Sequence, residues 1–92
     1  MSDASRVYAN WIRYKGNDKA DIYESAAKNK KFAVVTPAGK IVNFGMKGSE
    51  DFTQHRDTER QKNYLARANG IKGDWKNNKY SPNNLSINVL WQ

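Results

Sequence analysis

Residues 31–67 of this 92-residue chain, KFAVVTPAGKIVNFGMKGSEDFTQHRDTERQKNYLAR, decide its fold. Two apolar runs, residues 32–36 and 40–44, flank the turn sequence Pro37-Ala38-Gly39. Because Val, Ile and Phe favour strands while Pro and Gly favour turns, this stretch predicts a β-hairpin. Both runs are nearly continuous in apolar residues, so we expect a helix to cover one face of the hairpin.

The second half of the stretch predicts a helix. Asp57 suits the N-cap position and Gly70 suits the position after the last turn, which brackets a helix over residues 58–69. In the loop before it, Gly45 or Gly48 is expected to have a positive φ, because glycine tolerates that conformation. We expect side chains of the same loop to hydrogen-bond its backbone, and the candidates are Asp51, Thr53 and His55.

The flanking segments complete the predicted fold class. Residues 21–25 read as a short strand that extends the hairpin to a three-stranded meander. Ser81-Pro82 is typical of a helix start, and the apolar segment after it must pack on the hairpin or on another chain. The chain is therefore predicted to be an α+β protein, with a small antiparallel hairpin or three-stranded meander packed against two short helices. The expected core is Phe44, Phe52, Tyr64, Leu65 and Leu90.

The N-terminal segment is predicted to be an arm, residues 1–19, ahead of a single small basic domain, residues 20–92. Val7, Tyr8, Trp11 and Ile12 suit a helix with an apolar face, and alternating apolar residues suit a strand nearly as well. The arm is expected to dock on the domain or on a partner. The chain has no cysteine, so its stability depends on packing rather than on disulfides.

The charge of the chain points to polyanionic partners. Sixteen Lys and Arg residues against nine Asp and Glu residues give a net charge of +7, which favours nucleic acid, acidic proteins or anionic membrane surfaces. No apolar run approaches the ~20 residues that span a bilayer, and the first thirty residues lack the apolar centre of a signal peptide. We therefore expect a protein that is not in a membrane and is not secreted.

The residue types that carry out catalysis are few in this chain. The lone histidine, His55, has no cysteine or second histidine with which to bind a metal, and a loop hydrogen bond is the expected role. Asp57 and Glu59 suit the N-terminus of a helix rather than an acidic catalytic pair. The glycine-rich loop at residues 45–49 lacks the full phosphate-loop pattern. We expect no catalytic residues, no metal and no cofactor.

Basic residues interleaved with aromatic residues are the stronger functional signal, because such residues neutralise phosphates and stack on bases. Positions 56, 60, 63 and 67 advance at helical spacing, so we expect their side chains to line one flank of the helix. Arg67 has an alternative, an ion pair with a carboxylate. Trp75 lies in a polar loop and is either a core residue or a stacking platform. The candidate nucleic-acid-binding residues are Lys28, Lys30, Lys31, Lys47, Arg56, Arg60, Lys62, Arg67 and Lys72.

The chain resembles a family of small basic proteins of large nucleocytoplasmic DNA viruses that infect protists and algae. The family joins Phe-Gly-x-x-Gly to Asp-Phe/Tyr-Thr-x-His-x-Asp-x-x-Arg and Tyr-x-x-Arg, and the resemblance extends over residues 20–91. The chain departs from the family pattern at Ser49 and at Ala68-Asn69. The resemblance implies a viral origin and a small α+β domain. The matching positions are Phe44, Gly45, Gly48, Asp51, Phe52, Thr53, His55, Asp57, Arg60, Tyr64 and Arg67, followed by Trp75 and residues 80–91.

Two functions are compatible with these features. The first is a non-enzymatic, virus-encoded basic protein that binds nucleic acid, with DNA favoured, without sequence preference and in association with the virion or the genome. The second is a structural or interaction module, such as a minor virion component that binds other viral proteins. Either role implies location in the virion or in the cytoplasm or nucleus of the host cell. A continuous cationic face favours the first, and dispersed charge beside an exposed apolar patch favours the second.

Overall fold

A computed structural model describes residues 2–92 and consists of a three-stranded sheet with helices before and after it. Met1, the first residue of the predicted arm, lies outside the described residues. Helix α4, Pro82–Leu85, runs directly into a π-helical turn, Ser86–Leu90, and the two together are called the C-terminal helix. The elements in chain order are α1 Ala4–Lys15, β1 Asp21–Glu24, β2 Lys30–Val35, β3 Ile41–Met46, α2 Phe52–His55, α3 Thr58–Asn69, a 3₁₀ turn Trp75–Asn77, α4 Pro82–Leu85 and the π-helical turn Ser86–Leu90.

The sheet is the predicted antiparallel meander, with strand order β1-β2-β3. Phe32 lies opposite Phe44 across β2 and β3, which confirms the hairpin. The backbone N–H of Thr36 donates to the carbonyl of Lys40 at 2.9 Å across the three-residue turn. Gly39 has φ 83°, the left-handed conformation that a turn of this length requires. The predicted α+β fold class is therefore confirmed.

The N-terminal segment is a helix rather than a strand. Asp3 caps α1 by accepting a hydrogen bond from the backbone N–H of Arg6 at 3.3 Å. Val7 and Trp11, one turn apart, are 2% and 1% exposed in the core. The side-chain amide of Asn10 donates to the carbonyl of Val89 at 3.0 Å, which joins α1 to the C-terminal helix. The arm is therefore docked on the domain and supplies part of its core.

The core forms between the sheet, α1 and the C-terminal helix. Phe44, Phe52 and Leu90 are buried as predicted, whereas Tyr64 and Leu65 of α3 are only half-buried. The prediction that Tyr64 and Leu65 lie in the core is therefore wrong, and the buried residue of α3 is Ala68, which is 2% exposed. The apolar stripe of α3 is short, whereas α1 and the C-terminal helix bury larger apolar side chains in the core. The buried cluster is Val7, Trp11, Ala20, Val34, Phe44, Leu85, Val89 and Leu90.

The C-terminal helix starts at the predicted signal and packs on β3. Ser81 caps it by accepting a hydrogen bond from the backbone N–H of Asn84 at 3.3 Å, and Pro82 is its first residue. A Cβ added to Gly45 of β3 would lie 2.9 Å from Cδ1 of Leu90. Glycine at this position therefore allows the helix to approach the strand closely.

The loop after β3 contains a short helix, α2, that the sequence analysis did not predict. Asp51 accepts a hydrogen bond from the backbone N–H of Thr53 at 3.0 Å, and Gln54 accepts one from the backbone N–H of Asp51 at 3.0 Å. This reciprocal capping box starts α2. Gly45 and Gly48 both have positive φ, 76° and 89°. The predicted glycine conformation and loop hydrogen bonds are confirmed.

Candidate nucleic-acid interface

A cleft of about 880 Å³ lies where the sheet, α3 and the C-terminal helix meet. Both polar and apolar side chains line it, so it can contact a charged backbone and a flat apolar group together. Its cationic groups come from two different elements, β2 and α3. Its cationic and aromatic lining residues include Lys30, Arg60, Arg67, Tyr64, Trp75 and Trp91.

Helix α3 contributes polar side chains to the cleft, and helical spacing places them next to one another. Arg60, Asn63 and Arg67 are three and four residues apart, so they lie on one face, and all three line the cleft. The carboxylate of Asp57 accepts hydrogen bonds from the backbone N–H groups of Glu59 at 3.0 Å and Arg60 at 3.2 Å. The predicted N-cap is confirmed. It fixes the residue at which α3 begins and therefore the positions of Arg60 and Arg67 along the helix.

Arg56 does not share this flank, so that prediction is wrong. The spacing argument assumed one continuous helix, whereas Arg56 ends α2 in a left-handed conformation, φ 53°, before α3 begins. Its guanidinium pairs with the carboxylate of Asp3 at 2.8 Å on the surface. The hydrogen bond from the backbone N–H of Arg6, together with the pair to Arg56, lowers the pKa of Asp3. This ion pair therefore connects the end of α2 to the N-cap of α1.

The two arginines of α3 differ in their partners. Arg60 Nη1 lies 3.5 Å from Glu50 Oε1, and both side chains are about half exposed. Such a surface pair is weak, so Arg60 can exchange it for a phosphate. Arg67 has no carboxylate within 4.0 Å in residues 2–92, so it does not form the alternative ion pair. Its guanidinium carbon lies 5.7 Å from the ring centroid of Tyr64.

The Lys31 side chain forms an ion pair and a hydrogen bond inside the protein. Its ammonium donates to Asp51 Oδ2 at 2.8 Å and to Gln54 Oε1 at 3.1 Å, and the two charged side chains are 13% and 2% exposed. Burial opposes the ionisation of Asp51, but hydrogen bonds from Lys31, Ser2 and Thr53 outweigh burial and lower the pKa of the carboxyl. Lys31 therefore joins β2 to α2, and its charge is already compensated.

The remaining candidate lysines lie on the surface. Lys30 begins β2, is half-buried and lines the cleft. The others are exposed and lie outside the cleft lining. Within the described part of the chain, none of these lysines has a carboxylate within 4.0 Å. The exposed set is Lys28, Lys47, Lys62 and Lys72.

Four aromatic rings form a column, and the two that stack on each other, Tyr64 and Trp91, line the cleft. The Trp91 indole stacks on the Tyr64 ring, with centroids 4.0 Å apart and planes at 6°. The ring centroid of His55 lies 5.3 Å from that of Trp91. The ring centroid of Phe52 lies 6.1 Å from that of His55, and these two rings are perpendicular. Burial raises the pKa of the Tyr64 hydroxyl. The column ties α3 to the end of the C-terminal helix and holds Tyr64 in place.

His55 makes a loop hydrogen bond, as expected. Its Nδ1 accepts from the backbone N–H of Asp57 at 2.9 Å. Its Nε2 is buried and has no hydrogen-bond partner within residues 2–92. The ring also lies between Phe52 and Trp91 in the column. Hydrogen bonding and stacking together account for its position.

Trp75 borders the cleft as a half-buried ring held by hydrogen bonds. Its indole N–H donates to the carbonyl of Ile71 at 2.8 Å. Its own carbonyl accepts from the Ser81 hydroxyl at 3.1 Å and the Asn84 amide at 2.9 Å. The ammonium of Lys76 lies 5.5 Å from the ring centroid. Trp75 is not part of the buried core cluster, so it is not the core residue that was one of its two predicted roles. The other role, a stacking platform, stays a prediction.

The sequence analysis missed Trp91 as a cleft residue, because its partner Tyr64 lies far away along the chain. It also missed the exposed apolar side chains of Met46 and Ile71, which line the same cleft. The three-residue spacing of Tyr64 and Arg67 on a predicted helix was the available signal that the two side chains are neighbours. No comparable local signal pointed to Trp91.

Comparisons with known proteins identify a family but no activity. A protein-family model, DUF5754, described as a family of unknown function, matches residues 20–68, which is more than half of the chain. Neither a curated protein nor a solved structure matches the chain. Across residues 2–92, no helix is both long enough and apolar enough to cross a bilayer.

Proposed function

We propose that this chain, which belongs to the DUF5754 family of unknown function, is a non-enzymatic protein that binds nucleic acid without sequence preference. The observation that supports the proposal is the meeting of Lys30, Arg60 and Arg67 at one cleft. Phosphates are the groups that such cations contact, and phosphates are the same in every sequence.

The charges outside the cleft strengthen the same proposal. The chain carries a net charge of +7, and the four exposed lysines have no carboxylate partner within residues 2–92. Their field attracts a polyanion before it reaches the cleft. Lys31 is left out of the phosphate-binding set because the buried Asp51 compensates its charge, and Arg56 is left out because it does not line the cleft.

A salt titration tests this proposal. Binding of the purified protein to duplex DNA, single-stranded DNA and RNA is measured at two or more salt concentrations. We expect affinity to fall linearly on a logarithmic scale as salt rises, similarly for unrelated sequences, because each neutralised phosphate releases counterions. Failure to bind any of the three polyanions at low salt would refute the proposal.

The resemblance to small basic viral proteins supports a more specific form of the proposal. In this form the chain is virus-encoded and acts on the genome, in the virion or in the cytoplasm or nucleus of the host cell. Crosslinking in purified virions and infected cells, followed by detection of the chain on viral DNA, tests the location. Recovery of the chain only away from viral nucleic acid would contradict it.

A second candidate function rests on the apolar part of the cleft. Met46 and Ile71 are 62% and 51% exposed, and both line it. Exposed apolar side chains at a cleft are typical of protein interaction sites, so an interaction module that binds other virion proteins is the alternative. Binding that persists in high salt and needs Met46 and Ile71, but not the arginines, would favour this alternative.

A further inference from the structure

We infer that the occupant of the cleft is a single strand, whose unpaired bases stack on the aromatic side chains while its phosphates meet the cations. The inference rests on the proposed nucleic-acid binding and names the form of nucleic acid that the site takes. Three kinds of group lie together at the cleft: the Tyr64 ring between Trp91 and Arg67, the ring of Trp75, and cations on both β2 and α3.

The first stacking position lies at the end of the ring column. Trp91 covers one face of Tyr64 at 4.0 Å, so the guanidinium of Arg67, 5.7 Å from the Tyr64 centroid, lies towards the other face. A guanidinium in that place is held by cation–π attraction and by no carboxylate within residues 2–92. A base can take its place on the ring, which frees Arg67 to contact the adjoining phosphate.

The second stacking position is Trp75. Hydrogen bonds at its indole N–H and at its carbonyl hold the residue in place, so stacking on it costs little conformational entropy. Lys76 lies 5.5 Å from the same ring and supplies a cation beside it. Rings paired with cations in this way are the usual platform for single strands.

The cleft distinguishes single strands from duplexes by whether the faces of the bases are free to stack. In a duplex, neighbouring base pairs already cover both faces of each base, so only the phosphates remain available. An unpaired base offers a free face to Tyr64 or Trp75, and every base has such a face. The site therefore favours single strands over duplex without selecting a sequence. DNA and RNA single strands share this chemistry.

Tryptophan fluorescence provides a direct readout. Trp11 is 1% exposed in the core and Trp91 is already stacked on Tyr64, so Trp75 is the indole positioned to meet a base. Wild type, W75F and W75A are titrated into dye-labelled oligothymidylate, oligouridylate and a duplex carrying the same number of phosphates, and the fluorescence anisotropy of the label measures the affinity of all three proteins. Thermal melts of the free proteins establish that the variants fold.

The expected results separate the stacking from the phosphate contacts. Oligothymidylate and oligouridylate should quench wild-type fluorescence and bind more tightly than the duplex. W75A should bind both single strands about tenfold more weakly and should lose less affinity for the duplex, and W75F should retain most of the single-strand affinity because it keeps a ring. A difference between the two oligomers identifies whether DNA or RNA is preferred.

Two outcomes overturn the inference in distinguishable ways. Equal binding of single strands and duplex, with no loss in W75A, would refute the stacking while leaving nucleic-acid binding in place. No binding of any of the three ligands by the folded wild type would refute both the inference and the proposed function.

Discussion

The ammonium of Lys31 lies 2.8 Å from the carboxylate of Asp51, and these side chains are 13% and 2% exposed. The pair joins the central strand β2 to the start of α2. Asp51 also caps α2, and it accepts a hydrogen bond from the Ser2 hydroxyl at 2.6 Å. One carboxylate thus connects the N-terminal segment, the sheet and the loop that leads to α3.

Asp51→Asn should strongly destabilise the protein, because it leaves the Lys31 ammonium without its buried counter-charge. Breaking a buried pair in this way costs about 3–5 kcal/mol. The neighbouring Glu50→Gln is the control, since Glu50 is 58% exposed and its pair with Arg60 is long. Urea unfolding should show a small change for Glu50→Gln. Equal effects of the two substitutions would contradict the structural role of the Lys31–Asp51 pair.

The same carboxylate should contribute to acid sensitivity. Hydrogen bonds from Lys31, Ser2 and Thr53 outweigh burial and hold the pKa of Asp51 below its unfolded value. The stabilisation is therefore complete above about pH 4 and is lost as the pH falls through the folded-state pKa. Asp51→Asn should lose less unfolding free energy than wild type across this acidic range. Parallel pH curves for the two proteins would contradict the assignment.

Phe44→Ala should cost about 3–5 kcal/mol of unfolding free energy, because the ring has 0% exposure and its removal leaves a cavity. Leu65→Ala is the informative comparison. Leu65 lies on the half-buried side of α3, outside the core cluster, so its truncation should cost much less. Guanidinium unfolding of both variants measures the difference. An equal loss would mean that α3 contributes to the core as strongly as β3 does.

Gly45→Ala should destabilise the protein more than Gly48→Ala. Both glycines have positive φ, so each substitution carries a backbone cost of about 1 kcal/mol. Only at Gly45 would the new Cβ also meet Leu90, at 2.9 Å, whereas nothing lies within 4 Å at Gly48. A Cβ at Gly45 would also lie 3.2 Å from Cβ of Lys31, so the difference in melting temperature measures the crowding of Gly45 by the C-terminal helix and by β2. Similar losses for the two variants would contradict that close approach.

Local signals predicted much of the fold. The hairpin, the Asp57 cap and the Ser81-Pro82 helix start each depend on residues close together in the chain. The capping box from Asp51 to Gln54 was also present, but α2 was not recognised, and Arg56 was therefore placed on the wrong helix. Short apolar patterns such as residues 7–12 suit helix and strand alike, so packing against the rest of the domain, here mainly the C-terminal helix, decides between them.

The candidate site was less predictable than the fold. The grouping of Arg60 and Arg67 follows from helical spacing alone. Their meeting with Lys30 depends on how α3 lies against the sheet, which no local pattern specifies. The burial of Lys31 depends on a carboxylate twenty residues later in the chain. The stack of Trp91 on Tyr64 likewise depends on tertiary packing.

The salt dependence of binding in a charge-matched pair of variants tests the central claim most directly. Arg60→Gln/Arg67→Gln removes two cations from the cleft, and Lys19→Gln/Lys40→Gln removes two exposed cations outside its lining. We expect the arginine variant to lower the slope of log affinity against log salt by roughly two units. The lysine variant should leave the slope nearly unchanged. Equal slopes for the two folded variants would contradict the cleft as the phosphate-binding site.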